Sequence, residues 1–276
     1  MTDFALGPKA RAAGYRLRGY DSVGSTNSEA LDAAAAGDVG GIWFAARQQT
    51  AGRGRRGRPW VNPPGNLAAT LLIVPDADPT SVATLGFVAG VSLSAALSAI
   101  LPGGIVKVGI DGADSAGGEG RIALKWPNDV LADGAKLAGI LLEANKLPDG
   151  HHAIAIGIGV NVLAAPTGLP YPATSLKDLG AIRTAEDVFE ALSDAWVDAF
   201  GLWNDGHGIS EVLRRWRGSA AGIGAEVAVN QNGEVLRGIF ETIDDAGRLI
   251  VRADDNRRIA ISAGDVHFGA TASARS

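Results

Sequence analysis

The sequence predicts an α+β main domain followed by a small antiparallel β-barrel. Up to about residue 218, strand-like and helix-like segments are intermixed, whereas residues 219–268 hold only short strand-like segments separated by tight turns. Apolar residues make up 46% of the 276 residues and charged residues 20%, which is typical of a folded globular protein. Because the chain contains no cysteine, disulfides, thiolate zinc sites and a cysteine nucleophile are excluded.

The first part of the main domain alternates strands and helices. The predicted elements are, in order, a strand at 15–21, a helix from 25 to about 36, a strand at 42–46, a loop at 47–65, a strand at 67–74 and a helix beginning at 79. Thr26 and Glu29 have the spacing of a capping box. Residues 81–101 carry no charge and could span a bilayer by length, but their many small and hydroxyl side chains favour a buried helix packed on a sheet.

The remaining elements complete both domains. In the main domain we predict strands at 105–110 and 121–125 joined by a loop at 111–120, a hairpin of strands at 137–144 and 153–162, and helices from Thr184 to about 200 and from Ser210 to about 217. In the barrel we predict strands at 226–229, 235–243, 248–252 and 257–261, with one of the tight turns at Asn232-Gly233.

The overall charge gives no drive toward polyanions. Lys and Arg total 25, Asp and Glu total 30, and the net charge is −5, so we expect neither nucleic acid nor an anionic membrane as a partner. Residues 1–14 lack the apolar segment of a signal peptide, and with the absence of cysteine this predicts a cytoplasmic protein.

Residues 48–60, QQTAGRGRRGRPW, are the most informative segment, and we call residues 52–60 the Arg-Gly loop. Guanidinium groups bind phosphate and carboxylate oxygens in a bidentate fork, and glycines expose backbone N–H groups that can bind anions. The loop therefore predicts a site for a polyanion or a developing phosphate. Gly52, Gly54 and Gly57 match the dinucleotide fingerprint G-x-G-x-x-G, but Pro59 makes the helix that must follow unfavourable. An RGG-type nucleic-acid segment and a solvated basic loop remain alternatives.

Three further motifs place polar groups at the ends of apolar strands. In KWPND, Lys125, Asn128 and Asp129 can hold a phosphate, a base edge or a solvated metal ion, although a simple turn is the alternative. In KLAGI, Lys136 stands at the entrance of an apolar strand and seeks an anion, unless it is simply solvated. In GIGVN, Asn161 requires a partner, either a ligand or the backbone of a neighbouring strand.

Together these motifs closely resemble the biotin protein ligases. STN at 25–27, Gln49 with GRGRRGR at 52–58, KWPND at 125–129, KLAGI at 136–140 and GIGVN at 157–161 occur in this order, and the match covers about residues 15–268. The resemblance implies a mixed-sheet catalytic domain related to class II aminoacyl-tRNA synthetases and an SH3-like C-terminal barrel. The expected division is a flexible N-terminus at 1–14, a catalytic domain at 15–218, the barrel at 219–268 and a flexible tail at 269–276.

The resemblance also implies the chemistry. Biotin and ATP, with Mg²⁺ on the phosphates, would give biotinyl-5′-AMP, and the biotinyl group would pass to a lysine of the biotin carboxyl carrier domain of acetyl-CoA carboxylase or a related carboxylase. Because only about 14 residues precede the first predicted strand, we expect a monofunctional ligase without the winged helix of repressor-type members. A homodimer is left open.

Residue roles follow from the resemblance by position. The residues expected to contact biotin are Ser25, Thr26, Asn27, Gln49, Arg53, Gly54, Arg55, Lys136 and Gly139. The residues expected to contact the nucleotide are Arg55, Arg58, Trp60, Lys125, Asn128, Asp129 and Asn161. Lys136, Arg53 and Arg55 are expected to be catalytic, because a carboxylate that attacks a phosphate needs fixed cations at the developing charge. We also expect the Arg-Gly loop to be poorly ordered until ligand binds.

Two other functions compete with this hypothesis. A lipoate or octanoate protein ligase shares the general fold, and the spacing of the motifs does not reveal which acyl group is selected. A nucleic-acid-binding module could use the Arg-Gly loop together with the small barrel, but the acidic balance of the chain and the lack of a basic stripe weigh against it.

Overall fold

The computed structural model describes residues 2–101, 122–231 and 234–268, and its centre is a mixed β-sheet. The strands described there form a seven-stranded sheet in the order β1-β2-β3-β7-β6-β5-β4. These strands are β1 (Arg16–Tyr20), β2 (Ile42–Ala46), β3 (Leu67–Ile73), β4 (Ile122–Lys125), β5 (Asp129–Ala132), β6 (Ala135–Lys146) and β7 (His152–Val160). β1 pairs parallel to β2 and the other neighbours pair antiparallel, so the prediction of a mixed α+β main domain is confirmed.

Helices cover the two faces of this sheet unequally. The helices of the main domain are α1 (Pro8–Ala12), α2 (Thr26–Ala35), α3 (Pro79–Ala83), α4 (Leu85–Ile100), α5 (Ala185–Trp203) and α6 (Ile209–Gly218). α4, α5 and α6 pack on one face, where the large core includes Trp43, Trp196 and Leu71. α2 packs on the other face through alanines against Phe44 and Leu72. Because α2 is short and Ala-rich, it leaves part of that second face open for a site.

The uncharged segment forms α3 and α4. By length and composition, residues Pro79–Ile100 could cross a membrane. However, 56% of their most apolar 18-residue stretch is buried inside the fold. Leu93 and Leu97 are fully buried, and the Ser92 hydroxyl donates to the carbonyl of Val88 rather than facing lipid or water. This burial agrees with a core helix that packs on a sheet.

The C-terminal unit is a small antiparallel sheet. Its strands are β8 (Glu226–Gln231), β9 (Glu234–Ile243), β10 (Leu249–Arg252), β11 (Arg258–Ile261) and β12 (Asp265–Phe268), in the order β11-β10-β9-β8-β12. It is joined to the main domain at Trp126, whose indole N–H donates to the carbonyl of Gly247 at 3.0 Å. Trp126 belongs to KWPND, so this motif also connects the two units.

Several local expectations need correction. Residues 2–14 do not form a loose N-terminus: Phe4 and Leu6 are buried, and the amide of Gly7 donates to Ser193 Oγ on α5 at 2.8 Å. Ser25, not Thr26, caps α2, and Gly208 rather than Ser210 is the N-cap of α6.

Two strands were not predicted, and some predicted elements fall outside the described residues. β5 begins at Asp129, where only a turn was expected, and β12 was not expected at all. The strand at 105–110, the loop at 111–120, Arg121, the Asn232-Gly233 turn and the tail at 269–276 lie outside the described residues.

Candidate active site

A flat floor of small residues crosses the face of the sheet that α2 leaves open. The strand registers place six residues directly opposite one another in one row on this face: Lys125, Asp129, Gly139, Gly159, Ala68 and Ala46. Two residues further along the strands, and on the same face, Gly157 lies opposite Thr70. We call Gly139, Gly157 and Gly159 the glycine floor. The row therefore begins with the charged residues of β4 and β5 and continues with glycine and alanine on β6, β7, β3 and β2.

Other side chains lie directly on the glycine floor. A Cβ atom added to Gly159 would stand 2.5 Å from Nε1 of Trp60, and one added to Gly139 would stand 3.0 Å from its Cζ3. A Cβ atom on Gly157 would meet the carboxamide of Asn27, with its Cγ at 3.0 Å. Glycine is needed at these positions because the Trp60 ring and the Asn27 amide approach the strand backbone.

A β-bulge turns Lys136 toward the floor. Val130 pairs with Ala138 but Leu131 pairs with Lys136, so Leu137 is an extra residue in β6. Without this bulge, strand alternation would place Lys136 on the same face as Ala138, in the core. Instead, Lys136 Nζ lies 2.7 Å from Asp129 Oδ1.

Two aromatic rings flank the Lys136 ammonium. Its Nζ stands 5.6 Å from the ring centre of Trp60 and 5.5 Å from that of Tyr171. An ammonium held by a carboxylate and two ring faces is fixed at one place.

A buried polar pocket lies at the N-terminus of α2. Ser25, Thr26 and Asn27 are each 5% exposed or less. Gln49 Oε1 accepts from the Thr26 amide at 2.7 Å and from the Thr26 hydroxyl at 3.0 Å, and the Thr70 hydroxyl donates to Asn27 Oδ1 at 2.6 Å. Since buried polar groups are costly without partners, a pocket this polar suits a polar head group rather than a hydrocarbon.

Arg53 lies at this pocket and not beside Lys136. Its guanidinium donates to Ser28 Oγ at 3.0 Å and to the carboxylate of Glu143 at 3.2 and 3.3 Å. The structure therefore does not place the Arg53 side chain with the other expected catalytic cations. Its guanidinium is paired with the carboxylate of Glu143, although 42% of the side chain is exposed.

Arg55 is the arginine of the loop that reaches the Lys136 end. Its Nη1 donates to Asn128 Oδ1 at 3.1 Å, and Asn128 in turn donates through Nδ2 to the carbonyl of Ile140 at 2.7 Å. Burial is the main cause that lowers the pKa of the Arg55 guanidinium, although arginine remains charged. Because Asn128 adjoins Asp129, the charges of Arg55 and Lys136 are brought to the same end of the floor.

The outer part of the Arg-Gly loop touches the C-terminal unit. Arg56 and Arg58 each lie 2.8 Å from Asp265 Oδ2 on β12. Burial alone would raise the pKa of the Asp265 carboxyl, but the hydrogen bond from Arg58 and the charges of the three arginines outweigh it and lower that pKa. The loop is closed internally by the Gly54 amide, which donates to the Arg58 carbonyl at 2.7 Å.

Two further predicted residues lie at the edges of the floor. Lys125 sits over the Phe268 ring at 5.4 Å, and burial is the main cause that lowers the pKa of its ammonium. Asn161 is 1% exposed and donates to the carbonyl of Thr174 at 3.1 Å. Within the part of the chain that the structure describes, Asn161 Oδ1 is buried and has no hydrogen-bond donor.

The structure thus brings most of the predicted site residues to one face, in two groups. The polar pocket holds Ser25, Thr26, Asn27, Gln49 and Arg53; the charged end holds Arg55, Trp60, Lys125, Asn128, Asp129, Lys136 and Gly139. Gly54 and Arg58 belong to the Arg-Gly loop, whose Trp60 lies on the glycine floor. Sequence reasoning missed Thr70, Glu143, Tyr171 and Asp265. Only Glu143 had a signal, as an acid on an otherwise apolar strand.

The matching family models cover most of the chain. Residues 31–161 match the "Biotin/lipoate A/B protein ligase family", and residues 222–269 match the "Biotin protein ligase C terminal domain". The chain is 38% identical to the biotin–[acetyl-CoA-carboxylase] ligase of Paracoccus denitrificans over 89% of this chain and 97% of that protein. It is 34% identical to the ligase of the same description from Mycobacterium tuberculosis over 92% of this chain and 90% of that protein.

A solved structure shows the same fold. The biotin protein ligase of Aquifex aeolicus, in complex with biotin and ATP, superposes with a TM-score of 0.75 at 22% identity, covering 92% of this chain and 99% of that one. The likeness extends over the mixed sheet and the C-terminal unit together.

Proposed function

The chain belongs to the biotin protein ligase family, and from this premise we propose that it joins biotin to AMP with ATP and transfers the biotinyl group to a lysine of a carrier domain. The observation that carries the proposal is the convergence of Lys136 and Arg55 at one end of the glycine floor, with the polar pocket of Thr26 and Asn27 at the other. Gly157 and Gly159 are two residues apart, roughly 7 Å along the strand, which a short acyl chain can bridge.

In the first step, a carboxylate oxygen of biotin attacks the α-phosphorus of ATP and pyrophosphate leaves. Both reactants are anionic, so the reaction needs cations fixed where they meet. Lys136 is held there by Asp129 and two aromatic rings, and Arg55 is held by Asn128. These side chains need no reorganisation as the negative charge shifts toward the bridging oxygens.

The nucleotide would lie on the β4–β5 side of the floor. Asn161 Oδ1 offers an acceptor for an exocyclic amino group, and the Trp60 ring offers an apolar face. Lys125 and Arg58 add positive charge for the phosphates. Mg²⁺ would neutralise the phosphates and would enter with ATP, since no cluster of three potential acidic or histidine ligands occurs among the described residues.

In the second step, the amine of the acceptor lysine attacks the acyl carbon of biotinyl-5′-AMP. A C–N amide bond forms, the acyl–phosphate bond breaks, AMP leaves and the amine loses a proton. Exclusion of water before this step protects the adenylate from hydrolysis, and the Arg-Gly loop with its contacts to Asp265 supplies the cover.

Pyrophosphate exchange into ATP tests the activity. We expect labelled pyrophosphate to enter ATP only when biotin is present, and lipoate or octanoate to support less than about a hundredth of that rate. A carrier domain should then gain one biotinyl group on a single lysine, seen by mass spectrometry. Exchange that lipoate supports and biotin does not would overturn the proposal in favour of the other branch of the matched family.

Finer expectations stay proposals. We propose that the C-terminal sheet is an SH3-like barrel, that the main domain is related to class II aminoacyl-tRNA synthetases, and that the domain border lies near residue 219. The five-stranded antiparallel sheet and the family match from residue 222 support the first and third of these. We also propose acetyl-CoA carboxylase as the carrier's parent enzyme, which is what the names of the two similar ligases state for those proteins. A cytoplasmic location is proposed from the sequence alone, which contains no cysteine.

A further inference from the structure

Glu143 is an acid placed beside a site that must receive anions. It lies on β6, opposite Ala155 and on the same face as Gly139, and exposes 29% of its side chain. A carboxylate here repels a carboxylate or phosphate ligand, so its benefit must come from contacts within the protein. Those contacts are short: Asn27 Nδ2 donates to Glu143 Oε2 at 2.7 Å, and Arg53 donates to both carboxylate oxygens.

The contact with Glu143 determines which way the Asn27 amide faces. A carboxylate accepts hydrogen bonds and cannot donate them, so only the nitrogen of the Asn27 amide can face Glu143. The oxygen must then point the other way, where it accepts from the Thr70 hydroxyl at 2.6 Å and lies against the backbone of Gly157. Asn27 therefore presents an acceptor, and not a donor, over the glycine floor.

An acceptor at this place suits a ligand whose head group carries an N–H. The second lone pair of Asn27 Oδ1 can take a hydrogen bond from a cyclic urea, whereas a dithiolane ring has no hydrogen to donate. A site built to pair with such a group rejects an analogue that lacks it, because its own polar atoms are then left unpaired.

We propose that Glu143 is a positioning residue that selects a urea-like head group by fixing the orientation of the Asn27 amide, with Arg53 as the counter-cation that holds Glu143 in place. This inference rests on the proposed biotin ligase function. Glu143 does not touch the reacting atoms, so its loss weakens head-group binding and leaves the chemical step intact.

Exchange kinetics on matched variants of the full chain separate these effects. Glu143→Gln should raise KM for biotin by about 10-fold or more, while kcat and KM for ATP stay within about threefold. The control is Glu241→Gln, which removes another carboxylate paired with an arginine, Arg258, and should change none of these values.

A reciprocal pair of substitutions distinguishes a positioning role from a purely structural one, because only the positioning role predicts a recovery of KM for biotin. Asn27→Asp places two carboxylates face to face and should weaken biotin binding further than Glu143→Gln does. The double variant Asn27→Asp/Glu143→Gln restores one donor and one acceptor in reversed positions, still with an oxygen over the floor. It should recover at least threefold in KM for biotin over Asn27→Asp.

The outcomes are distinguishable. A KM for biotin that is unchanged in Glu143→Gln, or a double variant no better than Asn27→Asp, overturns the role of Glu143 while the ligase function stands. A wild-type chain that shows no biotin-dependent exchange overturns both. If Glu143→Gln fails to fold, the comparison of Asn27→Asp with the double variant decides the matter. The second change relieves the repulsion between the two carboxylates, so a purely structural role predicts that stability recovers while KM for biotin does not.

Discussion

Replacing Gly159 with alanine should push the Trp60 ring off the sheet. The added Cβ would stand 2.5 Å from Trp60 Nε1 and 2.6 Å from its Cζ2, whereas carbon atoms in contact stay ~3.5–4.0 Å apart. The ring must therefore move by roughly 1 Å or more. Trp60 ends the Arg-Gly loop and contacts Lys136, so the displacement reaches the charged end of the site.

The loss should fall on catalysis rather than on stability. A misplacement of about 1 Å in a site costs on the order of 100-fold in rate. We therefore expect Gly159→Ala to lower kcat/KM for ATP in pyrophosphate exchange by about 100-fold. Since the loop can shift at the surface, the free energy of unfolding should fall by no more than about 1–3 kcal/mol, the usual cost of overpacking.

The control is Gly201→Ala on α5. An added Cβ there meets nothing within 4 Å, so activity should be unchanged and stability should rise slightly. Urea unfolding and exchange kinetics on both variants test the argument. If Gly159→Ala keeps kcat/KM for ATP within threefold of wild type, the glycine floor does not work as we describe.

Three other variants test separate contacts. Lys125→Met should lower kcat/KM for ATP at least 10-fold. Because the pKa of Lys125 is lowered in the fold, the unfolded chain binds more protons, so the stability of the wild type should rise from pH 7 toward pH 10 and that of the variant should not. Melting temperatures of the two proteins that run parallel over this pH range would contradict the prediction. Asp265→Asn should lower the free energy of unfolding by at most about 1 kcal/mol and speed proteolysis in the Arg-Gly loop. Because the pKa of the Asp265 carboxyl is lowered, the difference in stability between wild type and variant should hold at pH 5–8 and vanish only below about pH 4, the usual pKa of an aspartate. A difference that is already lost at pH 6 would refute the ion pairs. Trp126→Phe should lower the free energy of unfolding by about 2 kcal/mol, because the carbonyl of Gly247 loses its donor, and a change under about 0.5 kcal/mol in urea titration would contradict this.

The parts of the fold that the sequence predicts well are those governed by local patterns. β3 and β7 are rich in apolar residues, and Thr184, the N-cap of α5, forms a capping box with Asp187. Such signals act over a few residues, so they are visible without knowledge of what packs against them.

The parts of the site that the sequence does not predict depend on distant partners. The bulge at Leu137 that turns Lys136 toward the floor depends on the register of β5 against β6. Arg53 is 90 residues from Glu143, and Arg58 is 207 residues from Asp265. β12 is four residues long and holds few apolar side chains, so only its pairing with β8 makes it a strand. Motif spacing locates the charges, but tertiary contacts decide which of them meet.

The most direct test of the account is the rate of adenylate formation in a single turnover after Lys136→Ala, with Lys146→Ala at the exposed end of the same strand as control. We predict that Lys136→Ala lowers this rate by about 100- to 1,000-fold while biotin still binds within about 10-fold of wild type, and that the control is unaffected. Adenylate formed by Lys136→Ala at the wild-type rate would show that this ammonium does not stabilise the charge that develops between the acyl group and the α-phosphate.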